Sequence, residues 1–130
     1  MQKELIENNP LLKLTIEFSL SVIEYCEELK SMKKFVLAKQ LLRSATSIGA
    51  NAMEAQNPES KADFIHKIKI AAKEADETQY WLLLCDYAES YPSCKTLLEK
   101  LEAISKIIGK ILYTSKRKTP FSYFLSFFYF

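Results

Sequence analysis

Apolar residues recur every three or four positions along most of the chain, which is the spacing that places them on one face of an α-helix. Four helices are predicted, over residues 10 to about 32, about 35 to 55, about 60 to 85 and about 97 to 112. No strand pattern occurs between residues 1 and 118, and the turns between the helices are short. The predicted fold class is therefore all-α, an up-and-down four-helix bundle.

Two of these helices carry recognisable start signals. Asn9 precedes Pro10, and an asparagine N-cap followed by proline at the first helical position is a common helix opening. After the break at Pro58, Ser60 and Asp63 have the spacing of a capping box, with aspartate in place of the usual glutamate. We therefore expect Asn9 and Ser60 to cap the first and third helices.

The second predicted helix has an unusually small apolar face. Between Ser44 and Ala52 only Ile48 is bulky, so a neighbouring helix can approach this segment closely. A glycine in a helix interior costs about 1 kcal/mol relative to alanine. Gly49 lies in that interior, so we predict a close helix contact there that offsets the cost.

The third helix carries a second stripe that points away from its main apolar face. A tryptophan and two aliphatic residues exposed to water would be unfavourable, at about 25 cal/mol per Å² of apolar area. We therefore predict a subunit interface along this stripe, although a solvated face is the alternative. Half-buried carboxylates need partners, and we expect Arg43 to meet one of the two acids within the stripe. The stripe consists of Ile70, Glu74, Glu77, Trp81 and Leu84.

Charge is nearly balanced over the whole chain, with 18 Lys and Arg against 16 Asp and Glu. The net charge of +2 neither demands nor excludes a nucleic-acid partner. Two stretches nevertheless contain several basic residues and no acid, and these are candidate phosphate-binding segments unless they only form solvated helix faces. Few aromatic residues lie near them in the sequence, which argues against base stacking. The candidates are Lys33, Lys34, Lys39 and Arg43, followed by Lys106 and Lys110.

No feature of the sequence argues for an enzyme. His66 is the only histidine, so one chain cannot supply the two Glu-x-x-His motifs of a di-iron bundle. Cys26, Cys85 and Cys94 show no C-x-x-C pairing, which argues against a zinc site or a disulfide framework. We expect no catalytic residue, no metal and no cofactor. A reducing cytoplasm is the expected location, since the first residues lack the apolar run of a signal peptide.

The composition changes sharply near the end of the chain. Residues 119–130 contain no charge and are rich in Phe and Tyr, so we divide the chain into a bundle domain, residues 1–118, and a C-terminal extension, residues 119–130. The extension is too short to span a membrane, which needs roughly 20 residues. It is either dispensable or a segment that packs on a partner; contact with a membrane is the remaining alternative.

Three motifs resemble one known family. They are Q-L-x-R-S-x-x-S-I-x-x-N-x-x-E from Gln40 to Glu54, S-x-x-D-F from Ser60 to Phe64, and K-E-A-D-E-T-x-Y-W-L from Lys73 to Leu82. The chain resembles the bacterial four-helix bundle proteins that include the 23S rRNA intervening-sequence proteins and the accessory variability determinant of diversity-generating retroelements. This resemblance implies a homopentameric ring of four-helix protomers with basic surfaces that contact nucleic acid.

The sequence thus leads to two functional hypotheses. The first is a non-catalytic oligomeric protein, without membrane association, that binds structured RNA or a ribonucleoprotein through phosphate contacts. The second is a scaffold that docks a protein partner such as a reverse transcriptase, with basic residues that only increase solubility. An acidic partner protein would compete with RNA for the same lysines.

Overall fold

The computed structural model describes residues 2–116, and within them it contains five helices and no strand. The all-helical prediction is confirmed. The short first helix was not predicted, because its six residues are too few to show a period. The helices are α1 (Gln2–Glu7), α2 (Pro10–Ser31), α3 (Phe35–Glu54), α4 (Lys61–Tyr87) and α5 (Lys95–Ser115).

The four long helices surround one apolar core. Each packs against two neighbours, in the cyclic order α2, α3, α4, α5, and α1 packs against α2. Short connections make successive long helices antiparallel, as the up-and-down prediction requires. The predicted apolar faces point inward, and the largest fully buried side chains include Phe18 from α2, Leu41 from α3, Phe64 from α4 and Ile104 from α5.

Both predicted helix caps are present. The Asn9 side chain accepts a hydrogen bond of 3.0 Å from the backbone N–H of Leu12, and its amide donates one of 3.1 Å to Gln56 at the end of α3. Ser60 accepts a bond of 3.0 Å from the backbone N–H of Asp63. The start of α2 and the end of α3 therefore meet at one end of the bundle.

The close contact predicted at Gly49 is also present. A Cβ atom added there would lie 3.1 Å from Cβ of Thr15 and 3.2 Å from its hydroxyl oxygen. Thr15 is buried and belongs to α2. The absence of a side chain at Gly49 thus allows α2 and α3 to pack closely.

Candidate nucleic-acid interface

The connection between α2 and α3 fixes the first two candidate lysines. Lys33 has a φ of 62°, in the left-handed region that glycine usually occupies at the end of a helix. Its conformation lets the backbone N–H of Lys34 donate a 2.9 Å hydrogen bond to the carbonyl oxygen of Leu29, which ends α2. For a residue with a side chain this backbone conformation costs about 1 to 2 kcal/mol. The turn therefore places an exposed lysine where a glycine would be easier to accommodate.

Lys34 connects this turn to the segment between α4 and α5. Its ammonium nitrogen lies 4.4 Å from the ring centroid of Tyr91, a cation–π distance, and 3.2 Å from the hydroxyl oxygen of Ser90. The hydroxyl of the buried Tyr25 donates a 2.7 Å hydrogen bond to the carbonyl oxygen of Pro92, which holds the same segment against α2. We call this part of the molecule, residues 27–36 and 86–95, the turn end.

The turn end is richer in exposed aromatic rings than the sequence indicated. Tyr87 is 76% exposed and Phe35 is 59% exposed, and Tyr91 contacts Lys34 directly. The expectation that few aromatic residues lie near the candidate lysines is wrong. Phe35 directly follows Lys34 in the sequence and was not weighed, whereas Tyr91 is far from Lys34 along the chain and contacts it only once the helices have packed.

The remaining candidate lysines lie in two different parts of the bundle. Lys39 is exposed about one helical turn into α3, whereas Lys106 and Lys110 are exposed in the far half of α5. Lys106 makes a 3.5 Å ion pair with Glu102, and both side chains are largely in water. An exposed pair of this kind contributes little to stability. The structure therefore separates the candidates into the lysines near the turn end and two lysines on α5.

Arg43 has two acidic neighbours within the same chain. Its guanidinium makes an ion pair with the Glu77 carboxylate, and its second terminal nitrogen lies 3.4 Å from Glu74. The contact with Glu77 raises the pKa of Arg43 above its usual value. The predicted meeting of Arg43 with an acid of the α4 stripe is confirmed. Since both acids are matched within one protomer, they do not by themselves require a second subunit.

Trp81 is half-buried beside this ion pair. Its indole N–H donates a 2.9 Å hydrogen bond to Glu77, and together with Arg43 this holds the pKa of the Glu77 carboxyl below its usual range. The ring also meets Tyr80 edge to face at a centroid distance of 5.4 Å. Ile70 and Leu84 are half-buried on the same helix. The predicted stripe of α4 thus remains partly open to water, and its role as a subunit interface stays a prediction. We call this stripe the Trp81 face; it consists of Ile70, Glu74, Glu77, Trp81 and Leu84.

An apolar groove runs between α2 and α3 on another side of the bundle. It encloses about 310 Å³, and two aliphatic residues of its wall are notably exposed, Ile16 at 36% and Leu20 at 57%. Its floor is where Gly49 brings the two helices together. The residues lining it are Leu12, Thr15, Ile16, Ser19, Leu20, Thr46, Gly49, Ala50 and Met53. The sequence did not predict this groove, because Ile16 and Leu20 adjoin the main apolar face of α2 and extend its pattern.

Comparison with known proteins places the chain in a family. The sequence profile of the 23S rRNA-intervening sequence protein family matches residues 7–110. The chain belongs to this family. A crystal structure of a protein of unknown function from the S23 ribosomal protein family of Bacteroides thetaiotaomicron is similar, with 38% sequence identity and a TM-score of 0.74 over 78% of this chain and 97% of that one. No curated protein matches the chain.

The family match includes every candidate residue of both surfaces. It ends at residue 110, and the predicted C-terminal extension, residues 119–130, lies outside the residues that the structure describes. Resemblance in the three sequence motifs had indicated this family, and the prediction is confirmed. The match and the similar crystal structure agree on the fold, and neither identifies a ligand.

We also searched the described residues for groups that could bind a metal ion or act as nucleophiles. Between residues 2 and 116 no group of three or more His, Cys, Asp or Glu side chains is arranged to hold a metal ion. All three cysteines are buried, and burial raises the pKa of Cys26 and of Cys94 to about 11. Over the same residues, none of the helices has the length and apolar content that crossing a bilayer requires.

Proposed function

We propose that this protein is a non-catalytic, homo-oligomeric RNA-binding protein of the cytoplasm, with Lys33, Lys34 and Lys39 as its main phosphate contacts. The observation that carries this proposal is the geometry of the α2–α3 turn. Lys33 is kept in an unfavourable backbone conformation at an exposed position, and the ammonium of Lys34 is positioned by Tyr91. Strain at an exposed charged residue is typical of a functional position. Membership of a family named for an rRNA element supports RNA as the ligand.

The ion pairs of the structure indicate which basic residues are available to contact phosphate. Arg43 already contacts two carboxylates, so binding a phosphate there would require breaking those contacts. Lys106 is paired more weakly, with both partners in water, and together with Lys110 it forms a second, lesser site. Structured RNA or a ribonucleoprotein is the proposed target.

Salt dependence of RNA binding tests this proposal. Each phosphate contact that is lost should reduce the slope of log affinity against log salt by about 0.7 to 0.9. We expect the triple variant Lys33→Gln, Lys34→Gln, Lys39→Gln to bind structured RNA more weakly and with a shallower slope. A matched control removes three exposed lysines elsewhere, Lys13, Lys69 and Lys73. Equal weakening in the control would contradict the site, and absence of binding at low salt would contradict the function.

We also propose that the protein assembles into a closed ring, with five copies as the expected number. Residues 2–116 include two partly exposed apolar surfaces on different sides of the bundle, the α2–α3 groove and the Trp81 face. A contact between unlike surfaces of neighbouring copies closes into a ring when the rotation between copies permits it. In this arrangement Trp81 of one copy packs near Leu20 of the next.

Native mass spectrometry tests the ring. Leu20→Lys should disrupt the groove and release monomers, because it places a charge on an apolar surface. Tyr113→Lys alters an exposed ring on α5, outside both surfaces, and should leave the assembly intact. A wild-type protein that remains monomeric at high concentration would contradict the ring.

The groove also supports a second candidate function, a scaffold in which a partner protein such as a reverse transcriptase occupies the groove in place of a neighbouring copy. Its apolar lining suits a protein surface better than a phosphate backbone. Capture of partners before and after nuclease treatment separates the two functions. A partner that is retained after nuclease, and that Leu20→Lys releases while the mass of the oligomer stays unchanged, would favour the scaffold.

A further inference from the structure

Two large aromatic rings at the turn end have no assigned role in phosphate binding. Tyr87 and Phe35 lie at the end of α4 and the start of α3, and more than half of each side chain is in water. Large apolar rings that remain exposed at one end of a small bundle commonly mark a binding surface. Lys33 and Lys34 lie in the turn between α2 and α3, directly before Phe35.

The charges of the turn end do not favour binding by phosphate contacts alone. Four lysines are matched there by four acids, so the surface as a whole is close to neutral. A ligand that gains only Coulomb attraction would bind weakly at such a surface, because contact with lysines also brings its phosphates near carboxylates. The charged residues are Lys30, Lys33, Lys34 and Lys95, and Glu27, Glu28, Asp86 and Glu89.

Unpaired nucleotides offer the chemistry that complements this surface. Their bases have exposed faces that stack on aromatic side chains, while the intervening phosphates accept hydrogen bonds from lysine. In a continuous duplex the bases are stacked on one another and cannot reach a protein ring in this way. Stacking also does not depend on net charge, so a neutral surface does not oppose it.

The position of Lys34 supports this assignment. Its contacts with Tyr91 and Ser90 hold the ammonium group beside an aromatic ring. A phosphate bound by this ammonium would lie at the same surface as the exposed rings, as the alternation of bases and phosphates in a nucleic-acid strand requires.

We propose that the turn end binds RNA segments with unpaired bases, such as a loop, through stacking on Phe35 and Tyr87 and phosphate contacts from Lys33 and Lys34. This inference rests on the proposed RNA-binding function and adds the structural class of the RNA. The turn end differs in this respect from the lysines of α5, where Tyr113 is the one exposed ring on the same helix.

Fluorescence anisotropy with two labelled RNAs tests the inference. One RNA is a hairpin with an unpaired loop, and the other is a blunt duplex with the same number of phosphates. We expect wild-type protein to prefer the hairpin. The double variant Phe35→Ala, Tyr87→Ala removes two stacking rings and should lose at least about thirtyfold in hairpin affinity while keeping its duplex affinity. Tyr87→Phe keeps a ring for stacking and should bind the hairpin as wild type does.

Tyr113→Ala is the matched control, since it removes an exposed tyrosine from the opposite end of the bundle. It should leave both affinities unchanged. Equal binding of hairpin and duplex by wild type, or an unchanged hairpin affinity in the double variant, would overturn the stacking role while leaving phosphate binding intact. Failure of both RNAs to bind at low salt would overturn the proposed function as well. Circular dichroism of each variant establishes that the helices are retained.

Discussion

Trp81 donates a hydrogen bond to Glu77, one helical turn before it in α4, and Glu77 in turn pairs with Arg43 of α3. Trp81 is the only tryptophan of the chain, so its fluorescence reports this cluster directly. Glu77→Ala removes the acceptor of the indole N–H and leaves it to water. We expect the emission maximum to move to longer wavelength. Glu74→Ala removes only the longer ion pair with Arg43 and should leave the emission almost unchanged.

The same cluster predicts that the stability of the fold falls as the pH is lowered. Since the pKa of Glu77 is lowered in the folded protein, its contribution to stability is complete above the usual glutamate pKa of about 4.3. That contribution is lost as the pH falls through the lower pKa of the folded state. Unfolding monitored between pH 5 and pH 2 should show a smaller loss of stability in Glu77→Gln than in wild type. Identical profiles would mean that the ion pair does not form in solution.

The backbone of Lys33 allows stability and binding to be separated. Lys33→Gly relieves the left-handed strain and should raise the free energy of unfolding by about 1 kcal/mol. The same change should weaken RNA binding, because it removes a charge. The control Lys69→Gly changes an exposed lysine in the interior of α4 and should instead lower the free energy of unfolding by about 1 kcal/mol. Denaturant titration measures both, and destabilisation by Lys33→Gly would contradict the turn geometry.

The two glycines of the chain should respond differently to alanine. A Cβ at Gly109 meets no atom within 4 Å, so Gly109→Ala gains helix propensity and should stabilise the fold by about 1 kcal/mol. At Gly49 the new Cβ meets Thr15 at 3.1 Å, and Thr15 is itself held by a 2.9 Å hydrogen bond to the carbonyl oxygen of Leu12. Gly49→Ala should therefore be less stable than Gly109→Ala. Thermal unfolding measures the stability of both variants. Equal stabilisation would show that α2 can shift to accommodate the new Cβ at little cost.

The cysteines should be inert in the folded protein. Burial raises the pKa of Cys26 and Cys94 from 9.0 to about 11, so at pH 8 almost none of either thiol is the reactive thiolate. A thiol reagent should label the three cysteines only after denaturant is added. Their contribution to stability is complete below about pH 8.5 and falls as the pH rises toward 11. Rapid labelling of one thiol at pH 8 would indicate local opening of the bundle.

Features that depend on neighbours in the sequence were predictable, and those that depend on the packed bundle were only partly so. Asn9 and Ser60 could be assigned as caps because each bonds a residue three positions away. Arg43 could be paired with the α4 acids because both lie beside the main apolar faces of consecutive helices. Tyr91 could not be paired with Lys34, since their contact depends on how two separate connections meet.

The left-handed backbone of Lys33 had no sequence signal either. Glycine or asparagine would have marked that position, and lysine does not. The α2–α3 groove was missed for a related reason: the exposed Ile16 and Leu20 lie next to the main apolar face of α2 and extend its pattern. Periodicity shows which residues are apolar on a helix, but the packing of the neighbouring helix decides which of them remain uncovered.

The two connections that meet at Lys34 lie at the end of the bundle opposite the start of α2 and the last turn of α5. A surface linkage through a residue introduced at the exposed position of Tyr113 would thus leave this end facing the solution. Immobilised through that attachment, the protein would present Phe35 and Tyr87 to an incoming RNA, whereas attachment through a residue introduced near Ser90 would block them. The orientation of the molecule on a sensor surface is therefore itself a reporter of which end binds.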